Sequence, residues 1–175
     1  VQEAAMSLIP ADKLASLQFE VGMSLLRELN KKDLEAAIFV VVNLLNNPFG
    51  SMPLKNAMGV KIAELSLLAA KKAKGGSAFV SAANYAASGI SLLPEDKWKS
   101  HYKLTLELYS IGAEAEGIRG KIDETKAYCD EVLNQEGCSI FDKLRLYYAL
   151  MDTMANGSRA QEALELCLDV LEQLQ

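Results

Sequence analysis

The chain has 175 residues, 50% of them hydrophobic, which fits one domain or one short repeat array with a continuous apolar core. It has 18 basic and 23 acidic residues, and the resulting net charge of −5 disfavours binding to the phosphate backbone of a nucleic acid. The longest apolar stretch, from Ala36 to Leu45, is too short to cross a membrane and is predicted to be a buried helix. We therefore expect neither nucleic acid nor a membrane as a partner.

Helical periodicity dominates the sequence. Apolar residues recur at helical spacing in most segments, and no segment alternates strictly between apolar and polar residues as a half-buried strand would. The prolines and several glycines fall between the periodic segments. These breaks predict eight helices, over residues 12–29, 33–46, 55–74, 77–92, 96–119, 122–135, 140–155 and 159–174. Ser139 with Asp142 and Ser158 with Gln161 have the spacing of N-terminal caps.

The eight helices are predicted to form four hairpins, over residues 12–46, 55–92, 96–135 and 140–174, because short connections force neighbouring helices to run antiparallel. A tetratricopeptide-like hairpin needs small residues where its helices cross and a proline after its second helix. The second hairpin fits this pattern best, with Ala70, Ala82 and Gly89 ahead of Pro94. The small residues assigned to the other crossings are Ser24, Ala36, Ala113, Thr125 and Ala163. The expected fold is all-α, an α-α superhelix of about four degenerate hairpins in a single domain over residues 1–175.

Several segments also resemble a known class of proteins. The chain contains, in order, EVGMSLLREL, IFVVVNLLNN, AELSLLAAKKAKGGSAFVSAANYAASGISLLP and WKSHYKLTLELYSIGAEAEGIRGKIDETKAYCDEVL. Over roughly residues 14–174 this order resembles the tetratricopeptide-like helical region of large multidomain signalling AAA/STAND ATPases, which are linked to kinase, GAF or histidine-kinase modules. The most specific stretch runs from Trp98 to Glu116. The departures are the irregular loop LNNPFGSMPLKNAMG and Gly117, which stands where an aromatic residue is expected.

The resemblance implies a cytoplasmic helical scaffold between a regulatory ATPase and an output module, without an active site of its own. The sequence begins at Val1 with neither an initiator methionine nor a signal-like segment, so we expect a segment of a longer protein.

The repeat register predicts a partner-binding groove along the first helices of the hairpins. Its predicted lining residues are Glu64, Lys71, Lys74, Glu107, Ser110, Glu114, Tyr148 and Asp152. Lys71, Lys72 and Lys74 end a predicted helix, where the helix dipole accounts for them and capture of an acidic peptide is the alternative. Charges of both signs along the groove would either hold a peptide of mixed charge or join the hairpins by internal salt bridges. The leading hypothesis is a protein-interaction or interdomain scaffold whose partner is a protein, a peptide or a neighbouring domain of the same chain.

Two other functional classes stay open. The first is a small-molecule sensor with a cavity between the second and third hairpins, using Tyr85, Trp98, His101 and Tyr102. The second is an enzyme acting through Glu107 and Glu114, which lie two turns apart and would need a cleft that raises a carboxyl pKa.

The residues that cofactors and metals require are lacking in the sequence. The glycine pair Gly112 and Gly117 is followed by Ile-Arg rather than by the Lys-Ser/Thr of a phosphate-binding loop. One histidine and three widely spaced cysteines make no zinc motif, so we expect neither a metal nor a cofactor. Cys129 and Cys167 are predicted to lie in the core and Cys138 in a loop, where it would be the most reactive thiol.

Overall fold

The computed structural model describes residues 11–46 and 57–173, and within these ranges the only regular secondary structure is helical, without a strand. The helices are α1 (Ala11–Glu28), α2 (Lys31–Asn46), α3 (Ala57–Gly75), α4 (Phe79–Ser91), α5 (Lys97–Ser100), α6 (Tyr102–Ile118), α7 (Ile122–Leu133), α8 (Ile140–Asn156) and α9 (Ala160–Gln173). The predicted all-α class is confirmed. Pro10, Pro48, Pro53 and most of the irregular loop lie outside the described residues.

The helices pack as hairpins that contact one another in sequence. α1 packs on α2, α3 on α4, α6 on α7, and α8 on α9. The second helix of each hairpin also contacts the first helix of the next, and the first helices α3, α6 and α8 contact one another in that order. This neighbour-to-neighbour pattern is that of a helical superhelix. It places the first helices α3, α6 and α8 along one side.

The predicted helix over residues 96–119 is wrong as a single element. The short α5 ends at Ser100, and α6 begins at Tyr102. His101 between them has a φ of −136° and a ψ of 41°, which are not helical. The carbonyl oxygen of His101 accepts bonds from the backbone N–H and the hydroxyl of Thr105, both at 2.9 Å. Thr105 is fully buried, so its hydroxyl is satisfied at the break. Neither Pro nor Gly marks this break, and hydrophobic periodicity alone cannot detect it.

Small residues allow close helix packing in the second hairpin, as predicted. Ala70 and Ala82 are fully buried. A Cβ added to Gly89 would lie 3.3 Å from Ser66 Cβ of α3 and 2.8 Å from Leu108 Cδ2 of α6 in the next hairpin. In the first hairpin the predicted register is wrong, because Ser24 and Ala36 are both exposed.

The close approach in the first hairpin occurs instead at Gly22. A Cβ added there would lie 2.9 Å from Leu45 Cδ2.

A close approach between the third and fourth hairpins requires a small residue at position 117. A Cβ on Gly117 would lie 2.5 Å from Thr153 Oγ1, so α6 and α8 approach too closely for an aromatic side chain. Ala113 and Thr125 are fully buried and Ala163 is 8% exposed, as their predicted positions require.

One predicted helix cap is present and the other is not. Ser139 Oγ accepts the N–H of Asp142 at 3.2 Å at the start of α8. Ser158 has a φ of 64° and belongs to the turn that ends α8, in which Arg159 N–H donates to the Met154 carbonyl at 2.9 Å. The predicted cap at Ser158 is therefore wrong, because an N-cap residue has extended backbone angles.

The apolar core follows the stack of hairpins. One cluster joins the first two hairpins around Ile38, Val41 and Ile62, and another joins the last two around Val132 and Leu146. Smaller clusters of α3, α4 and α6 residues connect them. None of the described helices combines the length and the apolar character that a membrane crossing requires.

Candidate partner-binding groove

Five charged side chains of α3, α6 and α8 form one network on the side of the first helices. Lys71 Nζ lies 2.7 Å from the Glu107 carboxylate. The guanidinium of Arg145 lies 3.1 Å from Glu107 and donates from Nη2 to Glu114 Oε2 at 3.0 Å. Lys74 pairs with the same Glu114 carboxylate. The network joins three successive hairpins, and Arg145 is the member that the sequence interpretation missed.

Glu114 is the most buried member of the network, with 20% of its side chain exposed. Burial disfavours its charged form, but the hydrogen bonds from Arg145 and Lys74 outweigh this effect and hold the pKa of Glu114 below its usual 4.5. The hydrogen bond to Glu114 in turn raises the pKa of Arg145. A general acid at neutral pH needs a raised carboxyl pKa. The pKa of Glu114 therefore shifts in the direction opposite to that required by the enzyme hypothesis.

The three lysines at the end of α3 make ion pairs or hydrogen bonds with other helices of the chain. Lys71 and Lys74 pair with α6. Lys72 Nζ donates to the Glu35 carbonyl at 2.6 Å and lies 5.4 Å from the centroid of the Phe39 ring. All three ammonium groups contact neighbouring helices, as the internal-bridge alternative predicts.

A groove of about 330 Å³ opens beside this network, and we call it the first-helix groove. Its lining residues are Lys74, Phe79, Glu114, Gly117, Ile118, Tyr148, Ala149, Asp152 and Thr153. Tyr148 is 70% exposed and Ile118 is 57% exposed. Asp152 is also exposed and has no ion pair within the described ranges. The groove thus combines an accessible apolar wall with one carboxylate that has no cationic partner.

Four predicted lining residues meet in this groove: Lys74, Glu114, Tyr148 and Asp152. Phe79 and Ile118 were missed because they stand at a helix start and a helix end, where apolar periodicity carries little information.

Four predicted residues lie outside the groove, and two of them, Lys71 and Glu107, belong to the ion-pair network. Glu64 is exposed on α3, two turns before Lys71, and belongs to neither the groove nor the network. Ser110 is only 2% exposed, and its hydroxyl donates to the Leu106 carbonyl at 2.8 Å. Its assignment to the groove surface is corrected, because the residue is buried and its hydrogen bond is made within its own helix.

The residues of the sensor hypothesis are only partly brought together. The rings of Trp98 and Tyr102 lie 6.2 Å apart, and they line a cleft of about 490 Å³ with Lys99 and residues 134–138. Tyr85 faces α2 instead, where its hydroxyl donates to Asn43 at 2.9 Å. His101 does not line the cleft. The cleft therefore lies between the start of the third hairpin and the connection to the fourth, not between the second and third hairpins.

Polar groups of the cleft wall already have partners. Trp98 Nε1 donates to Glu131 at 3.2 Å, and the Tyr102 hydroxyl donates to Asp142 at 2.8 Å. These bonds hold both rings in place without a ligand.

The three cysteines differ in environment. Cys129 is fully buried, and burial raises the pKa of its thiol to about 12. Cys138 is half-buried in the loop before α8, and its Sγ lies 3.3 Å from the Tyr102 hydroxyl oxygen. Cys167 is half-buried rather than in the core. In the described part of the chain, no three His, Cys, Asp or Glu side chains cluster as metal ligands would.

Comparison with known proteins assigns no family. No family model, curated protein or solved structure matches the chain. The resemblance to signalling ATPases therefore stays a prediction. The function has to be inferred from the groove and the cleft.

Proposed function

We propose that the chain is a non-catalytic protein-interaction segment whose first-helix groove receives an extended segment of a partner protein or of a neighbouring domain. The observation that carries this proposal is the exposed ring of Tyr148, standing with Ile118 over a groove of about 330 Å³. Contiguous exposed apolar surface rimmed by polar groups is typical of interaction sites. Tyrosine provides a large contact area with few rotatable bonds, which is why it is enriched among the residues that dominate binding energy.

The ion-pair network supports this function by fixing the groove in advance. Arg145 holds α8 against α6, and Lys74 holds α3 against α6. A wall that is already ordered loses little conformational entropy when a partner binds. Because every charged group of the network already has a partner, we expect recognition to fall to Tyr148, Ile118 and Asp152, which has no ion pair among the described residues. The partner segment that fits best carries a bulky apolar side chain next to a Lys or Arg.

The wider setting rests on the resemblance described above. If residues 14–174 correspond to the tetratricopeptide-like region of a signalling ATPase, the groove is a contact between a regulatory domain and an output domain in the cytoplasm. The proposal applies equally to a separate partner protein and to a neighbouring domain, since either can present an extended segment to the groove.

Panning a displayed peptide library on the wild-type chain tests the groove directly. We expect selected peptides to combine an apolar and a basic residue, and to bind Tyr148→Ala and Ile118→Ser at least about tenfold more weakly. Val40→Ser is the matched control, because Val40 on α2 is exposed to the same 57% as Ile118 but lies outside the groove. Failure to select any peptide, or binders that tolerate both groove substitutions, would reject the proposal.

The cleft of Trp98 and Tyr102 supports the sensor as a second candidate. Its volume of about 490 Å³ lies within the ~300–1,000 Å³ of typical ligand pockets. Trp98 is the only tryptophan of the chain, so its fluorescence reports on the cleft alone. A metabolite that raises the melting temperature and changes Trp98 emission, together with no groove-dependent peptide, would favour the sensor over the scaffold.

A further inference from the structure

The last helix of the described chain has two apolar faces. Ala163 and Val170 point into the fourth hairpin and are buried. Leu164, Leu168 and Leu171 are exposed by 60%, 53% and 52%, and their spacing places them on one side of α9. We call these three leucines the outer face of α9. No helix in the described ranges covers it.

The third hairpin shows which element packs against the equivalent part of its second helix, α7. Cys129 and Leu133 of α7 stand 38 residues before Cys167 and Leu171, so α7 and α9 are equivalent second helices. On α7 the positions equivalent to Cys167 and Leu171 are covered by α8, where the Cys129 thiol donates to the Leu146 carbonyl at 3.5 Å and Leu133 packs against the cluster that contains Leu146. The side chain of Lys143, just before the second turn of α8, donates to the Leu133 carbonyl at 2.7 Å. The element that fits against this side of a second helix is therefore another α-helix.

The outer face of α9 is more apolar than the equivalent surface of α7. Where α7 exposes Lys126 and Asp130 to solvent, α9 carries Leu164 and Leu168 at the equivalent positions. Two positions that are charged in one hairpin are therefore apolar in the next. An occupant that buries all three leucines accounts for this difference, whereas solvent exposure does not.

The charge of α9 itself indicates the chemistry of the occupant. From Ala160 to Gln173, α9 carries four acidic residues and no Lys or Arg. A second copy of α9 would set acid against acid, whereas a basic helix would be attracted.

We propose that the outer face of α9, with the acidic residues of that helix beside it, is a docking surface for an amphipathic partner helix with an apolar stripe flanked by Lys or Arg. The occupant would cover Leu171 as α8 covers Leu133, and would extend over Leu164 and Leu168. This surface is distinct from the peptide wall formed by Ile118, and it does not depend on the groove being a binding site.

A pair of synthetic helical peptides tests the proposal. Both carry leucine at helical spacing. One has flanking lysines, and the other has glutamates at the same positions. Fluorescence anisotropy with the 175-residue chain should show saturable binding of the lysine peptide and none of the glutamate peptide. The double variant Leu164→Glu with Leu168→Glu should weaken binding at least about tenfold, and Glu172→Gln on the same helix should weaken it less and reduce its salt dependence.

Two controls separate this surface from others. Leu17→Glu places the same substitution on an exposed leucine of α1 and should leave binding unchanged. Ile118→Ser should also leave it unchanged, because Ile118 belongs to the groove and not to the outer face. Far-UV circular dichroism verifies that each variant is folded.

Four results would overturn the proposal. The first two are that the lysine peptide does not bind saturably and that both peptides bind equally. The third is that Ile118→Ser or Leu17→Glu weakens binding as much as the Leu164→Glu/Leu168→Glu double variant does. The fourth is that this double variant does not weaken binding. A dimer in sedimentation that the double variant dissociates would instead assign the face to a second copy of the chain.

Discussion

Glu114→Gln removes the charge at the centre of the ion-pair network while nearly conserving side-chain volume. Lys74 then loses its carboxylate partner, and Arg145 keeps only Glu107. Exposed pairs contribute about 0.2–1 kcal/mol, and breaking a buried pair costs about 3–5 kcal/mol. Glu114 has 20% of its side chain exposed, but Arg145 has 38% and Lys74 32%, so screening by water places this case nearer the exposed limit. We expect a loss of about 1–2 kcal/mol, or about 3–6 °C in Tm for a chain of this length.

Urea unfolding followed by circular dichroism at pH 7 measures this loss. Glu162→Gln is the matched control, because Glu162 forms a single exposed i,i+3 ion pair with Arg159. We expect this substitution to lower the free energy of unfolding by less than Glu114→Gln does. The pKa of Glu114 is lowered on folding, so its contribution is present above the unfolded value near 4.5 and is lost as the pH falls through the folded value. The wild type and Glu114→Gln should therefore converge in acid. A difference that persists unchanged at pH 3, or one no larger than that of Glu162→Gln at pH 7, would refute the role assigned to the network.

Three further experiments test the helix packing, the burial of the cysteines and the α8 cap. Gly89→Ala should destabilise the chain by about 1–2 kcal/mol in thermal unfolding, since its Cβ would lie 2.8 Å from a buried leucine of α6, whereas Gly75→Ala has open space and should be neutral or stabilising. Alkylation followed by mass spectrometry should modify Cys138 well before Cys129, and equal rates would contradict the burial of Cys129. Ser139→Ala should cost about 1 kcal/mol through loss of the α8 cap, and an unchanged Tm would show that the cap contributes nothing.

Hydrophobic periodicity and chain breaks were sufficient to predict the fold class and most helix boundaries. The Gly75-Gly76 break and the cap at Ser139 are local signals, and the structure has helix ends at both places. The break at His101 escaped prediction because it depends on a tertiary arrangement in which buried Thr105 bonds back to a carbonyl. The misplaced cap at Ser158 has a similar cause, since a serine in the left-handed region is indistinguishable in sequence from one in an extended cap.

The groove was predicted less completely than the fold. Glu107, Glu114 and the lysines of α3 were found because one helix face can be read from spacing alone. Which charges pair across hairpins depends on the offset between repeats, and this offset varies along the chain. Arg145 lies 38 residues after Glu107, whereas Ala82 and Thr125, the crossing residues of the second and third hairpins, are 43 residues apart, so its role was not evident. The burial of Ser110 likewise follows from packing between helices, which a single helical face does not reveal.

The fourth hairpin has two roles at once, because α8 carries Tyr148 on the wall of the groove while α9 closes the described end of the stack. In an array whose units are stabilised by their neighbours, an end unit opens most readily. A helix seated on α9 would give that hairpin a second neighbour and reduce its opening. Tyr148 would then be held in place more of the time, so occupation of one surface would raise the affinity of the other, and by linkage the effect would be equal in both directions.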